Sequence, residues 1–300
     1  MATKQRARTR RTSANRDRGP RHVEPVLDPS WQSPYAPSPA ERTAHQRAVR
    51  QFALRRKLPV TALVALIALA LVVGVFAVPW LPVLGVAVAG LGAWDLYRYL
   101  ARFERQSNQL GATMLEAFRP GGTAIDRQRL LIVLDRLAAT FGVDGVTSFI
   151  IDDGCYNAAL VPLGDSYSLF VTSALMRDVP LIELEGVVAH CLARQRLNLL
   201  VRESVACTTT VNPDARRALA GVGQTYRADE VAAAAIRYPL GLAAALRRCA
   251  NQTVAADSFF ATPTYAQWRW VWFDWWTDRA STVVDDLDDV TVRARALEEW

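Results

Sequence analysis

Between Leu58 and Trp94 the chain carries no charged side chain. A run that long exceeds the roughly 18 apolar residues at which a membrane helix becomes the default expectation. A long polar segment precedes it, so it does not read as a secretory leader. Pro79-Trp80-Leu81-Pro82 interrupts the run. Two spans are expected, about Val60 to Ala77 and Leu81 to Tyr97, joined by a tight turn. One long kinked helix is the alternative.

Charge gives the expected orientation. Residues 1–57 hold 14 Lys or Arg against four Asp or Glu, which is +10; the whole chain is +6, so the remainder is −4. Arg50, Arg55, Arg56 and Lys57 abut the first span, and Arg98, Arg102 and Arg105 follow the second. Cationic flanks stay on the cytoplasmic side, which places both ends in the cytoplasm and the protein in the cell inner membrane. The basic arm reads as a solvated, disordered tail beside anionic lipid, not as a specific nucleic-acid reader. Lys4 and Lys57 are the only lysines, an arginine bias that suggests a GC-rich bacterial genome. Cys155, Cys191, Cys207 and Cys249 are widely spaced with no CxxC pair, as expected of reduced structural thiols in a cytoplasmic domain.

Four regions follow: a basic arm over 1–57, a transmembrane hairpin over 58–99, a folded domain over 100–255, and a Trp-rich and acidic segment over 256–300. From the end of the hairpin into the third, Asp95 to Phe118 has helical spacing, and Arg119-Pro120-Gly121-Gly122 is a break. Arg127 to Phe141 is a helix with Gly142 as its C-terminal cap. Val146 to Ile151 and Tyr167 to Thr172 read as strands. Leu181 to Val201, Gln224 to Ile236 and Pro239 to Cys249 read as helices. Trp268, Trp270, Trp272, Phe273, Trp275 and Trp276 crowd nine residues. They fit a membrane-interface belt, a core or a partner groove. Asp285 to Asp289 reads as a solvated acidic stretch.

Within these elements lies Val187-Val188-Ala189-His190-Cys191-Leu192-Ala193-Arg194. A zinc-protease helix carries His-Glu-x-x-His, because residues i and i+4 bring both imidazoles to one ion and the Glu activates its water. Together with Leu130–Gly142, Phe149 to Asp153, Asn157-Ala158, Ser168 to Met176, Glu183 to His190 and Ala228-Asp229, this order of pieces resembles the HtpX-like family of membrane zinc metallopeptidases. The resemblance covers about Leu130 to Ala250. It implies an α+β fold: a two-span transmembrane helical hairpin, then a mainly helical zincin-type domain with a small sheet. It also implies that Ser168 to Thr172 is the edge strand on which a peptide is held.

Position by position, the resemblance assigns His190 to the first zinc ligand. Cys191 replaces the base Glu, Arg194 replaces the second ligand, Thr225 stands where the third ligand belongs, and Asp229 is retained. His190 is thus the only retained ligand. His22 and His45, the other histidines, lie in the arm. Arginine stays protonated and cannot ligate a metal. Arg194 is expected to pair with Asp229 where the ion would sit, and Cys191 to be a small buried residue. The resulting expectation is a membrane-anchored pseudopeptidase without catalytic residues, cofactor or metal. Its partners would be the lipid bilayer and a protein or unfolded segment. The alternative is a divergent zinc-dependent metalloendopeptidase of membrane-protein quality control, with zinc held through Cys191 or Cys207 beside His190.

Overall fold

The computed structural model describes residues 39–73, 80–208, 223–274 and 289–300. The arm before residue 39, most of the turn at 74–79, Trp275, Trp276 and Asp285 to Asp288 lie outside the described residues.

Helix α1 runs Pro39–Val73, so residues 39–57 are helical and not the disordered arm expected of them. Its parts Val49–Arg55 and Lys57–Val73 meet at 48°. Pro59 explains the bend: it has no N–H for the carbonyl of Arg55, and its ring crowds that carbonyl. Helix α2, Leu81–Asn108, returns antiparallel to α1. Lys57 pairs with Asp95 at 3.0 Å, Val64 meets Gly92, and Ala68 meets Gly85. A Cβ on Gly85 would lie 2.8 Å from the Ala68 carbonyl, so the helices touch through backbone.

Among the described residues no single helix is long and apolar enough to cross a membrane, and the bent pair within α1 is the one candidate. The reason is length. The apolar stretch of α2 ends at Trp94, where Asp95 enters, which gives about 21 Å of helix against a hydrocarbon core of about 30 Å. The hairpin does expose apolar side chains to an unusual degree: Leu66, Val83 and Leu91 are 64%, 74% and 69% accessible.

Beyond the hairpin the architecture is mainly helical with a small mixed sheet. Helix α3 spans Leu110–Ala117 and α4 spans Ala124–Phe141. Thr123 and Asp126 close a capping box on α4, and Gly142 ends it with a left-handed φ of 64°. Strands β1 (Val146–Ile151), β2 (Ala158–Leu163) and β3 (Ser166–Thr172) lie in the order β1-β3-β2. β3 is parallel to β1 and antiparallel to β2. β3 is therefore central, and Ser168 to Thr172 is not an edge strand. The hairpin joining β2 to β3 has only two loop residues, which pins β3 beside β2 and drives it between β2 and β1.

Helices α5 (Ser173–Asp178), α6 (Leu181–Arg196) and α7 (Leu200–Thr208) follow. The single helix expected over Leu181 to Val201 is two, broken where Asn198 takes a left-handed φ of 58°. Then come α8 (Gln224–Ile236), α9 (Pro239–Asn251), α10 (Pro263–Trp268) and α11 (Val290–Glu298).

The strands separate two cores by their period of two. Ala158, Leu160, Leu169 and Val171 face the larger core, with α4, α6, α8, α9 and α11. Ala159, Val161 and Phe170 face the other, with α3, α7, the base of the hairpin and Trp268, Trp270 and Trp272. The described tryptophans of the cluster are thus core residues. Phe273, Ala294 and Leu297 enter the larger core, so residue 256 does not divide one core from another.

Candidate functional site

Helix α6 is buried along most of its length, because it lies between the sheet, α4, α8 and α9. Gly186 permits this. A Cβ there would stand 2.8 Å from the Cα of Leu242 on α9. One turn further on are His190 and Arg194, both fully buried. The spacing of four puts them on one face of the helix, as the sequence indicates.

The structure gives them different partners. His190 Nδ1 lies 2.7 Å from Asp229 Oδ1 on α8. Asp229 also receives Arg293 of α11, at 2.6 Å from Nε to Oδ2 and 3.0 Å from NH2 to Oδ1. Arg293 NH1 donates to the Phe273 carbonyl at 3.0 Å. The Phe273 ring stands edge-on to His190, with centroids 5.0 Å apart.

Arg194 turns instead to α7. Its Nε donates to Glu203 Oε1 at 3.1 Å and its NH2 lies 2.7 Å from Oε2. Its NH1 and NH2 donate to the carbonyls of Val271 and Trp270, at 2.5 and 2.7 Å. The expected pairing of Arg194 with Asp229 is therefore corrected: Arg293 holds Asp229, and Glu203 holds Arg194. Two cations and two anions are sealed in compensating pairs, the condition under which buried charge is tolerated.

The electrostatics follow from burial. Desolvation brings the His190 imidazole down to about 4, against an opposing pull from Asp229. Burial alone would raise Asp229, but Arg293 and then His190 hold its carboxyl below the usual range. An ionised Asp229 accepts only, so Nδ1 of neutral His190 carries the proton. Its Nε2 is buried with no hydrogen-bond partner among the described residues. Burial pushes the Cys191 thiol up to about 12, which leaves no thiolate at neutral pH.

Thr225 is buried one turn before Asp229 on α8. Cys191 packs in the larger core and Cys207 in the other, so the two thiols are not brought together. Zinc does not fit these residues. The His190–Asp229 contact is the carboxylate support that a metal-bound imidazole takes. Around it, however, stand the buried Arg194 guanidinium, one turn along α6, and the buried Thr225, one turn before Asp229 on α8. Among the described residues no three His, Cys, Asp or Glu converge on a point. At neutral pH His190 is a neutral imidazole shut off from solvent, and Cys191 carries no thiolate.

Glu203 and Arg293 escape the sequence reading. Glu203 has a faint signal, a lone carboxylate at helical spacing from Leu199, Leu200, Ala206 and Cys207. Arg293 had none, since its partner is 64 residues away. No family model, curated protein or solved structure matches the chain.

Proposed function

We propose that this is a membrane-anchored pseudopeptidase with an HtpX-like, zincin-type domain, which does no chemistry and binds a protein partner or an unfolded segment. The observation that carries the reading is Arg194: the position that would hold a second zinc ligand is locked to Glu203 and to two carbonyls. His190 and Asp229 keep the geometry of a supported ligand with nothing to support.

The hairpin supplies the anchor. Trp80 stands exposed at one end of its apolar stretch, and Trp94 and Tyr97 at the other, where indoles and phenols favour the membrane interface. Its arginine flanks place both ends in the cytoplasm. Partner binding by strand addition needs an outer strand of the sheet, since β3 is interior.

The test is metal analysis and proteolysis with the full chain purified in detergent. The expected result is zinc far below one equivalent and no chelator-sensitive cleavage of casein. Stoichiometric zinc together with chelator-sensitive cleavage overturns the reading in favour of a divergent zinc endopeptidase of membrane quality control.

A further inference from the structure

The outer side of β2 is occupied by the chain itself. Residues Arg269–Val271 form one 3-10 turn, and the chain then extends through Trp272. Ala159 of β2 lies between Phe170 of β3 on one side and Trp272 on the other, antiparallel in both cases. The Phe273 N–H donates to the Ala158 carbonyl at 2.7 Å. Asn157 grips the next residue with both ends of its amide: Nδ2 donates to the Asp274 carbonyl at 3.1 Å, and Oδ1 accepts from the Asp274 N–H at 3.1 Å. The Tyr265 hydroxyl donates to the same carbonyl at 3.1 Å.

Three further main-chain carbonyls of this segment meet a guanidinium. Arg194 takes those of Trp270 and Val271, and Arg293 takes that of Phe273. The side chains fill apolar pockets. The Trp272 ring packs 4.9 Å from Phe260 and 5.9 Å from Phe118, and Phe273 packs on His190. A strand edge, an asparagine amide and two guanidiniums, all aimed at backbone atoms, make a receptor for peptide main chain. Its specificity is for adjacent large aromatic side chains.

We propose that β2, Asn157, Arg194 and Arg293 form a peptide-binding cleft for a short extended aromatic segment, filled in cis by Trp270 to Asp274 and opened when that segment leaves. This rests on the non-catalytic reading of the domain and deepens it by naming what lies in the cleft. The partner in trans is a peptide of the same chemistry, an unfolded stretch with adjacent aromatic residues. Arg194 has then exchanged a ligand's place for a main-chain donor's.

Hydrogen exchange on the full chain in detergent tests this, with Asn157→Ala as the loosening variant. Tyr265→Phe is a milder second variant should the first fail to fold. In the unaltered protein, amides of residues 272–274 and of β2 should exchange at a common rate, about tenfold or more above those of α6, as a separately opening unit does. Asn157→Ala, which removes two hydrogen bonds to Asp274, should speed that unit by about tenfold again and leave α6 unchanged. A labelled peptide of sequence Gln-Trp-Arg-Trp-Val-Trp-Phe-Asp should bind a Trp272→Leu variant, which weakens the cis segment and leaves every cleft residue intact, about tenfold more tightly than the unaltered protein. The same peptide with proline in place of its last Trp and its Phe should not bind. If 272–274, β2 and α6 exchange at one rate, the segment is ordinary core and the proposal fails. It fails equally if the peptide binds neither protein, binds both alike, or tolerates the prolines. Zinc content does not enter these readouts, so failure here is distinct from failure of the pseudopeptidase reading.

Discussion

Asp229 Oδ1 lies 2.7 Å from His190 Nδ1, while the same carboxylate carries both nitrogens of the Arg293 fork. The imidazole is thus held in one tautomer by an anion whose charge is already neutralised. Removing either charge leaves the other buried without its counter-charge, at a cost of about 3–5 kcal/mol. Asp229→Asn and Arg293→Met should each destabilise the protein by about that amount in denaturant unfolding. The double variant should lose less than the sum by about 2 kcal/mol or more. Additive losses would sink the pairing.

Arg194→His introduces a residue type that binds zinc but removes the guanidinium with which Glu203 pairs. The expected outcome is a loss of about 3–5 kcal/mol with no gain of zinc. A variant that takes up one equivalent of zinc would show that the remaining donors suffice.

Acid should destabilise the fold through His190. Its folded value of about 4 lies below the ordinary 6.5. Between those values the unfolded chain takes up a proton that the folded protein refuses. Stability is therefore constant above about pH 6.5 and falls by about 3 kcal/mol on the way down to about pH 4. Asp229, also lowered, adds loss in the same direction at still lower pH. Unfolding series between about pH 7 and about pH 4.5 should show this slope, and His190→Gln should flatten it. Parallel slopes for the two proteins would refute the assignment.

All four cysteines are buried, and none is in a disulfide. None should react with an aromatic disulfide reagent at neutral pH until the protein is unfolded, when all four should. Fast labelling of Cys191 in the folded protein would contradict both its burial and its raised pKa.

Gly186→Ala should cost about 1–3 kcal/mol despite the better helix propensity of alanine, because α9 backbone already fills the space. A neutral result would mean that α6 and α9 separate easily.

Local chemistry was legible in the sequence where it acts locally. Thr123, Asp126 and Gly142 mark the ends of α4, and the spacing of apolar residues finds α6. β2 was hidden because both of its faces are buried: Ala158 to Leu163 shows no alternation and contains Pro162. Strand order was hidden because β1 meets β3 only after β2 has intervened. At the site, the helix and the face shared by His190 and Arg194 follow from spacing. What each meets does not, since Asp229, Glu203, Arg293 and the carbonyls of Trp270 and Val271 arrive from separate elements. The long apolar run was plain from its lack of charge, but the bend of α1 emerges only in three dimensions.

The counter-charge of Asp229 comes 64 residues later in the chain, and the carbonyls that Arg194 holds come 76 and 77 residues after it. At about 5–20 residues per second, synthesis reaches Arg293 about 3–13 s after Asp229. During that interval Asp229 lacks the Arg293 guanidinium, and Arg194 lacks the carbonyls of Trp270 and Val271 for most of it. The newborn protein therefore passes through a stage with an open interior, and the time it spends there is set by the ribosome rather than by folding.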